Sequence, residues 1–260
     1  MSSGRLAGRH AVITGASAGI GTEIARRFAA EGARVALLDV DAAALEDLGA
    51  ELGPACAGTR AVDVADAAAV GAAVEWAADA LGRIDTVVNN AGIPMVGAVH
   101  ELEEADWDRV LEVDLKSIYL VSRAAWPHLR DAGGGTIANT ASVAGIWGTP
   151  GQAGYAAAKA GAIMLTKCMA LDGAKDGIRV NCVCPGMVYT PMVQEGGMSP
   201  DLRDARRRRS VLQTEGSGWD VGAAVAFLAS GNARWMTGAV VPVDAGATAI
   251  VALPGVPSAG

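Results

Sequence analysis

Metal and disulfide chemistry find little to build on in this sequence. Its 260 residues hold only three histidines, His10, His100 and His128, scattered along the chain. The four cysteines, Cys56, Cys168, Cys182 and Cys184, form no Cys-x-x-Cys pair, which argues against a zinc site or a disulfide framework. Cys182 and Cys184 read as core thiols sharing one strand face. A basic surplus is missing too. The formal net charge is −7, whereas neutralising nucleic-acid phosphates needs a basic face. Arg206 to Arg209 form a basic run, read as the solvated side of a helix, with capture of an anionic substrate as the alternative. No apolar run approaches the ~18 residues of a membrane span, and the opening Met-Ser-Ser-Gly does not begin a secretory signal. A cytoplasmic protein without nucleic-acid or membrane partners is expected.

What is present is a globular composition, 51% hydrophobic and 19% charged, rich in small residues that permit close helix–sheet packing. Continuous β-branched runs predict strands at 10–14, 34–38, 59–62, 86–89, 136–139, 179–183 and 240–243. Helical patterns fall near 19–31, 41–51, 66–81, 103–131, 151–175 and 218–230. Strands alternating with helices of this length imply βαβ units, and apolar strands imply a sheet covered on both faces. The expectation is one α/β domain with a doubly wound, parallel, seven-stranded sheet. The segment 191–218 breaks the rhythm with Gly196-Gly197, Pro200 and the arginine run, and is expected to be a substrate loop.

The first strand runs into Thr14-Gly15-Ala16-Ser17-Ala18-Gly19-Ile20-Gly21, where a helix begins. A glycine-rich strand-to-helix turn lets backbone N–H groups approach a pyrophosphate at a helix N-terminus, which points to a dinucleotide. The second strand ends at Asp39. An acid there can accept both ribose hydroxyls of an adenosine and repel a 2′-phosphate, favouring NAD over NADP. The alternative is that Asp39 or Asp41 caps the next helix. Two further turns follow strands at the same sheet edge. Asp63-Val64 offers a carboxylate to the adenine amino group, and Asn90-Ala91-Gly92 offers small residues for close cofactor approach.

Tyr155 and Lys159, four apart in a helical stretch, emerge on one face. Ser142 follows the fifth strand on the ligand-binding edge, so the three can converge. A phenol, with a pKa of about 10, is a poor base at neutral pH. An ammonium about 4 Å away contributes about 4 kcal/mol at an effective dielectric of about 20, favouring the phenolate roughly a thousandfold before desolvation opposes it. That poises Tyr155 as general acid/base, with Ser142 bonded to the substrate oxygen.

With these residues in hand, the chain resembles the short-chain dehydrogenase/reductase family, in its shorter-chain branch, over about residues 7–249. The marks are the Thr14–Gly21 turn, Asp63, Asn89-Asn90-Ala91-Gly92, Ser142, Tyr155-x-x-x-Lys159, and Pro185-Gly186 with Thr190. The resemblance implies a Rossmann-like fold in which Ser142 positions substrate, Tyr155 donates or accepts the proton, and Lys159 also binds the nicotinamide ribose. It implies that Pro185, Gly186, Val188 and Thr190 contact the nicotinamide end, and that the protein is a homotetramer. The nearly all-round apolar helix about Tyr155 independently suits burial by a partner. Two departures stand out. Asp114 occupies a position where the family often carries a relay Asn, and is expected to modulate the pH optimum. Val243-Asp244-Ala245-Gly246 replaces a more usual Gly-Gly ending, with only a packing consequence expected.

Candidate substrate residues are Ala144, Trp147, Gln152, Met187 and Met192; Trp147 and the methionines suggest an apolar, adaptable pocket, or else core and interface. The expected substrate is a secondary alcohol or ketone, with polyols, hydroxysteroids and acyl-carrier β-ketoacids all open. The rivals are a catalytically silent dinucleotide sensor and an epimerase or dehydratase that retains its NAD.

Overall fold

The structure is a computed structural model that describes residues 4–190 and 198–249. Seven parallel strands form one sheet: β1 His10–Thr14, β2 Arg34–Asp39, β3 Cys56–Ala61, β4 Thr86–Asn89, β5 Gly135–Thr140, β6 Ile178–Pro185 and β7 Val240–Val243, in the order β3-β2-β1-β4-β5-β6-β7. The order reverses between β1 and β4. There the connections leave in opposite directions and open a crevice at the carboxyl ends of the strands.

Successive strand residues point to opposite faces, and in this sequence both sets are apolar. Val12, Val87, Ile137 and Val180 pack on one face against α3 (Ala67–Leu81), α5 (Ser117–Asp131) and α6 (Ala153–Gly173). Ile13, Leu37, Val88 and Val183 pack on the other against Ile24 and Phe28 of α1 (Gly19–Ala30) and Val221 and Val225 of α8 (Gly218–Ala229). Each such fully buried side chain stabilises the fold by about 1.5–3 kcal/mol. Cys182 and Cys184 are buried on a single face of β6, as core thiols.

Three expectations need correction. β3 begins at Cys56, three residues before the predicted start. As the edge strand it pairs with β2 alone, through a register shift at Val35/Ala36, and every residue is partly exposed, so no apolar pattern marks it. The single helix expected over 103–131 is broken: α4 (Glu104–Leu111) and α5 are joined by a π-helical turn, Glu112–Lys116. Such turns insert a residue into a helix and often occur at functional sites. Finally, Ala245 has φ +53, the left-handed region that favours glycine, so the missing Gly costs backbone strain and not packing alone. Ala245→Gly should therefore raise stability by about 0.5–1 kcal/mol in urea denaturation, net of the added chain entropy. No gain would show that the turn around Asp244, whose carboxylate accepts from Gly246 and Thr248, fully compensates the strain.

A buried polar chain fixes the floor of the crevice. Asn89 donates to Asn139 (2.8 Å) and Ser122 (3.0 Å), Asn139 donates to Thr166 (2.9 Å), and Thr166 returns its hydroxyl to the Ala162 carbonyl (2.8 Å). It pins β4, β5, α5 and α6 together beneath the strand ends, where an unmet partner would cost about 1–3 kcal/mol.

Candidate active site

At the end of β1 the chain turns sharply through Gly15, at φ +65, where a Cβ would lie 2.6 Å from the Ala91 Cα. Gly21 packs onto this turn so closely that a Cβ would fall 1.8 Å from the Gly15 carbonyl oxygen. The Thr14 hydroxyl accepts the Asn90 and Ala91 amides at 3.1 and 3.2 Å, and Asn90 Nδ2 donates to the Gly15 carbonyl at 3.0 Å, so the β1 and β4 turns are locked together. Gly21 and Ala91 thereby act as packing, behind the surface that a ligand would meet.

Helix α1 starts at Gly19 with Ala18 as its cap, no side-chain cap bond and no acid in the first turn. Its leading N–H groups are thus open to an anion, which fits a pyrophosphate. Asp41 is the residue that caps α2 (Ala42–Leu52), accepting from Ala44 at 3.1 Å. Asp39 instead accepts the Ser17 amide at 3.0 Å and faces the glycine turn.

One cavity of about 570 Å³ runs from this turn to the far side of the crevice. It is lined by Gly15, Ser17, Ala18, Gly19, Ile20, Asp39, Asn90 and Gly92 at one end, and by Pro185, Gly186, Val188 and Thr190 beside β6. Ser142, Tyr155, Lys159, Asp114, Ala144, Trp147, Gln152 and Met187 open onto the same space. Met192 lies outside the described residues.

Asp63 and Val64 are not on the cavity wall. Asp63 accepts from Ala65 (2.9 Å) and Arg109 (2.9 Å), and Val64 is buried. Burial opposes ionisation of Asp63, but the Ala65 amide and Arg109 outweigh it and hold its carboxyl below the usual range.

Ser142 stands just past β5, its Oγ accepting the Ala144 amide at 3.1 Å to start the short turn Val143–Gly145. Tyr155 and Lys159 occupy the first turns of α6, and Lys159 Nζ lies 5.5 Å from the centre of the Tyr155 ring. The ammonium is buried. It donates to the Thr140 carbonyl at 3.2 Å and sits 3.1 Å from Asp114 Oδ2. Asp114, fully buried in the π-turn, accepts the Ile93 amide through Oδ1 at 2.8 Å. Its Oδ2 is in ion-pair range of Lys159 but out of line for a hydrogen bond, and has no hydrogen-bond donor among the described residues. Burial pushes Lys159 down, but the Asp114 carboxylate outweighs it and holds the ammonium above the usual lysine range. The lysine is therefore not the lone cation that the Tyr-x-x-x-Lys spacing suggests, because its charge is shared with a carboxylate.

Sequence reasoning missed part of this wall. Thr140 and Met95 also line the cavity, together with Met198, Arg206 and Arg209 of the segment expected as a substrate loop. The arginine run divides: Arg207 and Arg208 face solvent and pair with Asp204, as a solvated face would, whereas half-buried Arg206 and exposed Arg209 line the cavity and pair with no acid among the described residues. The segment expected as an irregular loop contains α7 (Pro200–Arg207), capped by Ser199.

Residues 15–248 match a family model described as enoyl-(acyl carrier protein) reductase. The chain is 43% identical over 238 residues to the meso-2,3-butanediol dehydrogenase of Serratia marcescens, covering 92% of this chain and 94% of that one. It is 41% identical to the 2-(R)-hydroxypropyl-CoM dehydrogenase of Xanthobacter autotrophicus, covering 93% and 99%. The crystal structure of levodione reductase superposes with a TM-score of 0.90 at 35% identity, covering 94% and 99%. Family match, sheet order and whole-length likeness agree: the chain belongs to the short-chain dehydrogenase/reductase family and is an oxidoreductase.

Proposed function

We propose that the protein interconverts a secondary alcohol and a ketone with NAD, using Tyr155 as general acid/base. The observation that carries this is the opening of Ser142, Tyr155 and Lys159 onto the cavity that also holds the glycine turn and Asp39. Two of the relatives named above are dehydrogenases of secondary alcohols, meso-2,3-butanediol and 2-(R)-hydroxypropyl-CoM, and that substrate class suits the polar centre of a partly apolar pocket.

When bound, the nicotinamide dinucleotide supplies the hydride acceptor or donor. The open N-terminus of α1 with Gly15, Ser17, Ala18, Gly19 and Ile20 would hold its pyrophosphate, and Asp39 its adenosine ribose. Asn90, Gly92, Pro185, Gly186, Val188 and Thr190 would flank the remainder. Ser142 donates a hydrogen bond to the substrate oxygen. Tyr155 Oη takes the hydroxyl proton in oxidation and returns it in reduction. Lys159 and Asp114 hold the charge next to the phenol. Ala144, Trp147, Gln152 and Met187 shape the substrate side. The protein works as a single-domain unit in the cytoplasm and assembles as a homotetramer, to which the exposed Met164 and Leu171 of α6 contribute apolar surface. Among the described residues no helix is long and apolar enough to cross a membrane.

The test is nicotinamide absorbance with NAD⁺ and NADP⁺ separately, against secondary alcohols, diols and hydroxysteroids. Turnover with NAD⁺ is expected, and Asp39→Ser should shrink the NAD⁺/NADP⁺ preference about 10- to 100-fold, the worth of charge-assisted bonds to two ribose hydroxyls. A wild-type preference for NADP⁺ would refute the role of Asp39 and leave the chemistry standing. NADH binding without turnover of any alcohol would favour a dinucleotide sensor.

A further inference from the structure

Two guanidinium groups line the catalytic cavity without a counter-charge in contact among the described residues. Arg206 and Arg209, three apart at the end of α7, line the same space as Ser142 and Tyr155. Neither pairs with an acid among the described residues, although the other arginines of the segment do: Arg203 with Glu215, Arg207 and Arg208 with Asp204. In a chain of net charge −7, two such cations on one wall need an explanation.

Arg206 is the informative one. It is half-buried, its Nε is buried with no hydrogen-bond partner among the described residues, and Nη2 makes only a long contact, 3.4 Å, to the Val188 carbonyl. A buried, unmet charged donor is costly, so its retention calls for an acceptor that arrives with a ligand. Glu215 is the neighbouring acid: its Oε2 takes both bonds from Arg203, its Oε1 is buried without a hydrogen-bond partner among the described residues, and neither oxygen comes within ion-pair distance of Arg206. Burial holds the Arg206 guanidinium below its ordinary value, partly offset by Glu215. The arginine is also held in place. Arg203, one turn earlier on α7, stacks on the Tyr189 ring at 3.9 Å and donates to Glu215 at 2.8 Å through Nε, which fastens the helix to the chain beyond β6. The scaffold is thus tied down while Arg206 Nε is left without a partner among the described residues.

We infer that the substrate is an alcohol or ketone bearing a second, anionic group, a carboxylate, sulfonate or phosphate, that Arg206 grips with help from Arg209. This rests on the reading of the cavity as a substrate site. A guanidinium presents its donors in a fork that matches such oxyanions, so the pair would fix which end of the substrate faces Tyr155.

The experiment compares 3-hydroxybutyrate, 4-hydroxypentanoate and 5-hydroxyhexanoate with their methyl esters and with 2,3-butanediol, in NAD⁺ reduction. In parallel, calorimetry follows binding of the matching keto acids and keto esters to the enzyme–NAD⁺ complex, which cannot turn over. At one chain length or more, acid over ester selectivity of at least about tenfold is expected. Arg206→Gln should collapse that ratio through KM and the calorimetric Kd, Arg206→Lys should restore part of it, and Arg208→Gln should leave it in place.

Esters matching acids at every length would overturn the inference, as would an Arg206→Gln effect equal on acid and ester. Weakened NAD⁺ binding in that variant without substrate would assign the arginine to the cofactor pyrophosphate and overturn it too. Turnover of the diol alone, with no acid bound by calorimetry, sinks this inference but leaves the alcohol dehydrogenase reading intact. Silence with all substrates and no binding of any ketone sinks both.

Discussion

Tyr155→Phe is expected to lower kcat for alcohol oxidation by about a thousandfold, with NADH affinity changed by less than about tenfold. Among the described residues, the ionisable side chains on the cavity wall are Asp39, Asp114, Tyr155, Lys159, Arg206 and Arg209. Asp39 is committed to Ser17 at the glycine turn. Asp114 and Lys159 are buried and bound to each other, and arginine does not give up its proton. None of the three histidines lies on the wall, and Cys184 is buried with its thiol pushed up by its neighbour Cys182 and by burial. Tyr155 is the side chain left to exchange a proton with substrate. Phenylalanine keeps the ring beside Lys159 and removes only the hydroxyl, so lost turnover with retained cofactor binding separates chemistry from folding. Steady-state absorbance and a fluorescence titration with NADH measure the two. A loss below tenfold would move proton transfer to another group.

The parts of this architecture legible in the sequence are those written in local chemistry. The β1 and β4 boundaries come directly from apolar β-branched runs, and the crevice from glycine turns that follow them. Ser142, Tyr155 and Lys159 open onto one cavity, as their spacing suggests, because each sits at a fixed offset from a strand end or along a helix. The start of β3 escapes because an edge strand packed on one neighbour needs no apolar alternation. The π-turn escapes because an inserted residue rotates a helix without altering its hydrophobic content; Asp114 lies within that turn, buried beside Lys159. Asp63 has a partner that the motif does not reveal, since its carboxylate accepts from Arg109, 46 residues away. The arginine run shows another limit. Spacing puts Arg206 and Arg209 on one side of the helix end and separates them from Arg207 and Arg208, but which side meets the cavity depends on how α7 is fastened by Arg203, Tyr189 and Glu215.

The pair formed by Asp114 and Lys159 carries the second large effect. Asp114→Ala should cost about 3–5 kcal/mol, because it leaves a buried ammonium with no opposite charge. The sign with pH follows from Lys159. Its folded value is raised above the unfolded one, so the stabilisation that Lys159 contributes is complete below about pH 10.4 and fades as pH climbs through the folded value. Urea denaturation at neutral pH should therefore show the full deficit.

Asp114→Asn separates charge from shape. The amide oxygen can still accept from Ile93, while the carboxylate no longer offsets the ammonium beside Tyr155. The remaining groups near that ammonium, Ser142, the Thr140 carbonyl and the buried Cys184, are unchanged by the substitution. With more net positive charge beside the phenol, the phenolate is favoured and the acid limb of the oxidation profile should move to lower pH by about one unit. A profile that stays put, with stability reduced, would make Asp114 a structural partner of Lys159 and nothing more. A profile that moves to higher pH would mean that the ammonium, stripped of its partner, loses its proton to burial before it can act on Tyr155.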